Sequence, residues 1–267
     1  MLPRLLIKRL LLWLAPTHRS RAIPGVPGRV HRHDVMLYDA SEESVLNYLR
    51  AGASAVENIE LALAEAGRTF SDIQSLLDFG CGHGRILRLL QQHVPPHRIT
   101  GCDVDAEAVW FCSAEFGVKP LVSSWDLRKI RLKTYDLIWS GSVFTHLDEE
   151  NCEILIGHLG RALRPGGIVI FSAHGQLSLD GLAWLYEGIY AGEADDIRQE
   201  VAERGFSFRH YGAEFGEFPG PYGMTWHSRQ YLIDAFDRLF DGEIELLLHR
   251  PQGWDNHHDV FAFRRRV

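Results

Sequence analysis

The sequence predicts an α/β fold: a doubly wound, mostly parallel seven-stranded sheet with an antiparallel last strand, a helical N-terminal lid and an inserted cap. Three observations carry this expectation. From residue 75 onward short apolar runs alternate with stretches of helical periodicity, a pattern that joins parallel strands by crossovers and covers both faces of the sheet. The first of these runs leads directly into a turn with three glycines in five positions, GCGHG. Near the end, two apolar runs joined by a polar turn read as closing strands.

In chain order, SLLDFG (75–80), RITGCDV (98–104), PLVSS (120–124), YDLIWS (135–140) and GIVIFSA (167–173) supply five strands. EIELLLHR (243–250) and DVFAFRRR (259–266) supply the last two. Helices are expected over 85–93, 106–116 and 149–163, and from an N-cap at Ser228 through Phe240. Ahead of the sheet, Val45, Tyr48, Leu49, Ala53, Val56, Ile59, Leu61 and Leu63 recur at helical spacing, so residues 41–67 read as lid helices with Gly67 as C-cap. Residues 17–33, rich in Pro, Gly, Arg and His, read as a linker draped over the surface, with His31 and His33 solvated. Residues 177–229 hold two helices and an aromatic, glycine-rich passage; that is too long for a simple connection and reads as a cap over a site.

With 267 residues, 46% of them hydrophobic, the chain can bury one sizeable core. A formal net charge of −7 gives no basic footprint, so nucleic acid is not an expected partner. Cys81, Cys102, Cys112 and Cys152 contain no CxxC pair and predict reduced thiols in a cytoplasmic compartment. In the segment MLPRLLIKRLLLWLAP the longest charge-free run, residues 10–15, is too short to span a bilayer, and Lys8 with Arg9 interrupts any signal-peptide core. As a helix it places Leu6, Ile7, Leu10, Trp13 and Leu14 on one side. That pattern fits peripheral contact of residues 1–15 with the inner face of a membrane, and equally a helix packed on its own domain or on a second subunit. The oligomeric state is not legible.

In a doubly wound sheet the ligand sits at the carboxyl ends of the strands, and the first strand feeds LLDFGCGHGR (76–85) into that crevice. Cys81 and His83 do not make a metal site: a Cys-x-His pair in a glycine turn points its side chains apart, and nothing nearby completes four ligands. No metal is expected elsewhere. Gly80, Gly82 and Gly84 read GxGxG rather than the dinucleotide GxGxxG, with Asp78 two residues before the first glycine. A carboxylate there repels a diphosphate and suits a ligand carrying positive charge, such as an α-amino group. Asp103 follows Gly84 at about the separation expected for a carboxylate that accepts ribose hydroxyls, and Asp105 is left as N-cap of the next helix.

LLDFGCGHGR, ITGCDVD, YDLIWSGSVFTHL and ALRPGGIVIFS, in this order and spacing over residues 75–172, resemble the Rossmann-like class of S-adenosylmethionine-dependent methyltransferases. The resemblance implies S-adenosylmethionine as cofactor, with Asp78, Gly80, Gly82 and Gly84 around its methionine part and Asp103 at the ribose; Cys81 and Val104 count among the cofactor-binding residues with them. Ser140 ends the fourth strand of the same site. The family's acidic adenine contact after the third strand falls on VSSWDLRKI, where Ser124, Trp125 and Asp126 compete. Under this resemblance residues 35–267 form one methyltransferase domain, with a lid at 41–67, a binding core at 72–175, a cap at 177–229 and closing elements at 228–267. Residues 1–34 precede it as helix and linker. A narrower similarity links the chain to methyltransferases associated with bacterial surface-glycan biosynthesis, through Tyr48 and Gly52, SVFTHL, the Tyr222 to Tyr231 segment and HDV at 258–260.

Methyl transfer to a hydroxyl needs an in-line geometry and a proton acceptor. His146 follows the fourth strand, placed like the catalytic histidine of plant O-methyltransferases, which it locally resembles. His174 after the fifth strand and His227 in the cap compete for the role, while His249, His257 and His258 are read as structural or solvated. The expected function is O-methylation of a sugar or small-molecule hydroxyl. A non-catalytic cofactor-binding partner of a glycosyltransferase is the alternative, and an NAD-linked oxidoreductase is disfavoured by the glycine spacing.

Overall fold

The computed structural model describes residues 20–185, 189–211 and 220–267. The helix expected within residues 1–16 lies outside them, as do parts of the expected cap. The central sheet has seven strands: β3 (Leu76–Phe79), β4 (Ile99–Asp103), β5 (Lys119–Val122), β6 (Tyr135–Ser140), β7 (Leu163–Ala173), β10 (Ile244–Trp254) and β11 (His258–Arg265). Their order is β10-β11-β7-β6-β3-β4-β5. Strands β3 to β7 are mutually parallel, β11 runs antiparallel to β7, and β10 antiparallel to β11. Strand order reverses between β3 and β6, which opens a crevice at their carboxyl ends.

Alternation along the strands divides the core. Leu76, Trp139, Ile168 and Ile170 face one side, with Ile59 and Leu63 of helix α1 (Glu42–Glu65) and Val109 of α3 (Ala106–Phe116). Leu77, Ile138, Val169 and Phe171 face the other, with Leu155 of α4 (Glu149–Arg161) and Phe236 of α7 (Arg229–Phe240). Both faces are covered, as the continuous apolar strand sequences require.

Residues 41–67 form one continuous helix rather than several. Ser41 caps α1 by accepting from the Ser44 N–H at 3.2 Å, Glu42 and Glu43 complement its dipole, and Gly67 closes it at φ 67°. Gly52 lets α1 approach the next layer: a Cβ there would meet the Arg85 carbonyl and Leu89 at 3.0 Å. The helix expected over 85–93 shrinks to α2 (Leu87–Leu90), flanked by turns. Ile86 offers no capping side chain, and Pro95 and Pro96 stop propagation.

The expected surface linker is a packed hairpin. β1 (Ser20–Ala22) pairs antiparallel with β2 (Arg29–His31), and Ile23, Val26 and Val30 bury against Val45 and Tyr48 of α1. The glycines read as linker residues turn this hairpin, Gly25 at φ 81° and Gly28 at φ 74°. His31, expected in solvent, is buried and stacks on His83 at 4.6 Å. The region between β7 and α7 contains α5 (Gln176–Asp180), α6 (Ala194–Arg204) and two strands not foreseen, β8 (Phe206–His210) and β9 (Gly223–His227), paired antiparallel. Leu182, Ile197, Val201 and Trp226 give it a small core of its own.

Candidate active site

The glycine loop leaves β3 tied to its neighbour: the Gly80 and Cys81 N–H groups donate to the Cys102 carbonyl at 2.8 and 3.0 Å. Its glycines do different work. A Cβ on Gly80 would lie 2.4 Å from Val143, and one on Gly84 2.4 Å from Phe116, so these two permit close packing. Gly82, at φ 48°, faces open space and is the position where a ligand can approach the backbone. The Gly82 N–H donates to Asp103 Oδ2 at 2.8 Å, and the Asp105 N–H to Oδ1 at 3.0 Å. Burial raises the Asp103 pKa against those two donors.

A cavity of about 320 Å³ opens over this loop, within the size range of small-molecule sites. Of the residues expected at the cofactor, Gly80, Cys81, Gly82, Asp103, Val104, Ser124 and Trp125 line it, as does His146. Gly84 does not, because it packs on α3. Ser140 is fully buried beneath the site and does not reach the lining. A larger groove, about 890 Å³, runs between α4, α6 and α7 and includes no residue of this loop; its charges pair with one another, as Arg204 with Glu149 at 2.7 Å.

Asp78 lies behind the loop, 1% exposed, and neither carboxylate oxygen has a hydrogen-bond partner among the described residues. Burial, with Asp103 nearby, pushes its pKa up to about 8. Arg85, the last residue of LLDFGCGHGR and not an expected site residue, lines the cavity with its guanidinium 5.3 Å from the Trp254 ring centroid. Among the described residues it forms no hydrogen bond or ion pair, and burial lowers its pKa. Its place directly after the third glycine was the available signal. Trp254, on β10, had none: it reaches the wall through the sheet order and is fixed by donating to the Ala51 carbonyl at 2.7 Å. Asp34 and Met36, after the hairpin, complete the near wall, and Tyr48 donates to Asp34 at 2.7 Å.

His146 sits on the loop after β6, where Ser142 takes φ 59°. Cap strand β9 stitches this loop in place: the Gly223 N–H donates to the His146 carbonyl at 3.1 Å and the Thr225 N–H to Thr145 at 2.9 Å. His146 Nδ1 is 3.0 Å from the Gly223 carbonyl and 2.9 Å from the Tyr211 hydroxyl. A carbonyl only accepts, so Nδ1 carries the proton and Nε2 holds the lone pair. Burial lowers the ring's pKa and keeps it neutral. Trp125 and Tyr222 meet edge to face at 5.6 Å beside it.

The other two histidines expected as bases lie off the cavity lining. His174 is buried, with Nδ1 2.9 Å from the Thr225 carbonyl. His227 is buried too, its Nε2 3.6 Å from Cys152 Sγ, and burial drives its pKa down to about 3. His174 follows β7 and His227 lies in the cap, as expected, but their side chains turn into the packing between cap and sheet.

Residues 77–169 match the family model described as a methyltransferase domain. Malonyl-[acyl-carrier protein] O-methyltransferase 2 of Ilyobacter polytropus is 28% identical over 108 residues, 39% of this chain and 41% of that protein. The chain thus matches under half the length of this relative. Among solved structures, magnesium protoporphyrin IX methyltransferase from Synechocystis with bound SAH gives a TM-score of 0.54 at 16% identity, covering 97% of this chain and 99% of that one. An S-adenosylmethionine-dependent methyltransferase from Clostridium acetobutylicum gives 0.52 at 13%, covering 82% and 92%. At such identities the likeness is one of fold.

Proposed function

We propose, from the methyltransferase domain matched over residues 77–169, that this chain transfers a methyl group from S-adenosylmethionine to a hydroxyl oxygen of a sugar or other small molecule. The observation that carries the reading is a pair of ionisable groups at the glycine loop, one acidic and one basic, that lack hydrogen-bond partners among the described residues. Asp78 offers two buried acceptors with no partner among the described residues, and Arg85 a half-buried guanidinium with no hydrogen bond or ion pair among them. An α-amino acid carries the complementary set, an ammonium and a carboxylate, and burial of either group of the pair is costly until it is matched. Asp103 uses one lone pair on each oxygen for backbone N–H groups and keeps capacity for ribose hydroxyls. Ser124 and Trp125 line the same cavity and are assigned to the adenine end.

The cofactor, when bound, supplies a methyl group activated by a sulfonium. The chain's own part is to align the acceptor and take its proton. His146 Nε2 is the base, held in that tautomer by the Gly223 carbonyl, and the Tyr222 and Trp125 rings shield the site from water and offer faces to an apolar sugar surface. The narrower sequence similarity to glycan-linked methyltransferases supports a sugar acceptor.

Two further features bear on location. Val35 and Tyr38 are 71% and 91% exposed beside Met36 of the cavity wall, a placement that supports acceptance of substrate at a membrane surface with residues 1–15 as the peripheral contact. All four cysteines are free and buried, in keeping with a reducing cytoplasmic compartment. Among the described residues no helix is long and apolar enough to cross a membrane. The reading is tested by turnover with tritiated methyl donor against a panel of sugar and small-molecule alcohols. Methyl ethers are expected as products; methylated amines as the sole products would overturn the oxygen assignment.

A further inference from the structure

The geometry points to a binding site for a divalent transition-metal ion, of the zinc class, formed by His174, His257 and His258. The sheet builds it. Antiparallel pairing of β7 with β11 sets Ala173 opposite Asp259 and Ser172 opposite Val260, which brings the residue after β7, His174, to the turn that carries His257 and His258. One ring nitrogen from each lies within 4.8 Å of the others. The rings are not stacked: interplanar angles are 84° for His174 and His258, 45° for His174 and His257, and 44° for His257 and His258. Such mutual tilts let lone pairs converge on one point.

Two of the rings are also oriented from behind, as metal-binding imidazoles are. The Thr225 carbonyl takes the Nδ1 proton of His174 and leaves Nε2 as the donor atom. Ser172 Oγ contacts His258 Nδ1 at 3.3 Å while accepting from the Ser142 N–H at 2.8 Å. Three nitrogens about a tetrahedral zinc stand about 3.3 Å apart, so ring rotations that draw in a triangle whose sides are at most 4.8 Å bring the three donors to one ion. The nearest carboxylate in sequence, Asp259, is engaged by His249 at 2.9 Å and the Gln252 N–H at 3.0 Å. An all-imidazole set selects zinc, cobalt, nickel or copper over magnesium or calcium. His258 also meets Trp254 of the cavity wall edge to face at 5.4 Å, so an ion here braces the wall, the closing strands and the cap together. The site does not depend on the methyl-transfer reading.

The test uses the full chain without an affinity tag, stripped with chelator and titrated with Co²⁺, with visible d–d absorption as the readout, and with Zn²⁺ by competition with a chromophoric chelator. Wild type is expected to take up one ion per chain and to melt at a higher temperature with Zn²⁺. His257→Gln and His258→Gln are each expected to weaken binding by about ten-fold or more and to lose the thermal shift. His33→Gln, in the separate His31, His33 and Glu107 cluster, is expected to leave both unchanged. Absence of stoichiometric uptake, unaltered affinity in both the His257 and His258 variants, or loss of binding in the His33 variant would each overturn the assignment.

Discussion

The carbonyl oxygen of Gly223, a cap residue, lies 3.0 Å from Nδ1 of His146, a strand-end residue 77 positions earlier in the chain. This contact fixes which ring nitrogen is basic. His146→Ala is therefore expected to lower turnover by about 10²–10⁴-fold with little change in cofactor affinity measured by calorimetry. The wild-type rate should rise with pH through an apparent pKa below the ordinary 6.5, the direction in which burial moves this ring.

The same contact depends on Gly223 lacking a side chain, since a Cβ there would sit 2.0 Å from the Arg209 carbonyl. Gly223→Ala should break the pairing of β8 with β9, destabilise the chain by about 1–3 kcal/mol and reduce turnover by displacing His146. Thermal melts and kinetics on the same preparation check both parts.

Asp78 predicts effects of opposite sign. Its folded pKa of about 8 exceeds the ordinary 3.8, so from about pH 4 to pH 8 the unfolded chain ionises while the folded chain holds the proton. Stability of the ligand-free chain from this group falls as pH rises across that window. Asp78→Asn should remove this slope and stabilise the free chain near pH 8, yet weaken S-adenosylhomocysteine binding by about ten-fold or more. Melting curves from pH 5 to 8 and calorimetry separate the two.

Arg85→Met should likewise weaken S-adenosylhomocysteine, by about ten-fold to a hundred-fold for a lost charge-assisted bond. Binding of methylthioadenosine, which lacks the amino-acid part, should be unchanged. An equal loss for both ligands would show that Arg85 supports the cavity without touching the carboxylate.

What the sequence made legible follows from how local each signal is. The strands of the sheet and the loop from Gly80 to Gly84 are written in consecutive residues whose periodicity and spacing have few alternatives. The β1–β2 hairpin reads as a linker in sequence because Gly25, Pro27 and Gly28 serve a tight hairpin and an open linker equally; only the burial of Ile23, Val26 and Val30 distinguishes them. Strands β8 and β9 were hidden in an aromatic passage without clean alternation. At the site, His174 shows the limit of strand-end reasoning, and His227 the same limit within the cap: chain position gives the place of a residue, while neighbouring packing sets where its side chain points. Trp254 enters the same wall as Arg85 from 169 positions away, a juxtaposition that belongs to strand order and to no local pattern.

The central claim, that the loop from Gly80 to Gly84 with Asp78, Arg85 and Asp103 holds S-adenosylmethionine, is tested most directly by calorimetric titration of the chain with S-adenosylhomocysteine and, separately, with NAD. The account predicts one S-adenosylhomocysteine bound per chain and no measurable heat from NAD. Preferential binding of NAD would contradict it.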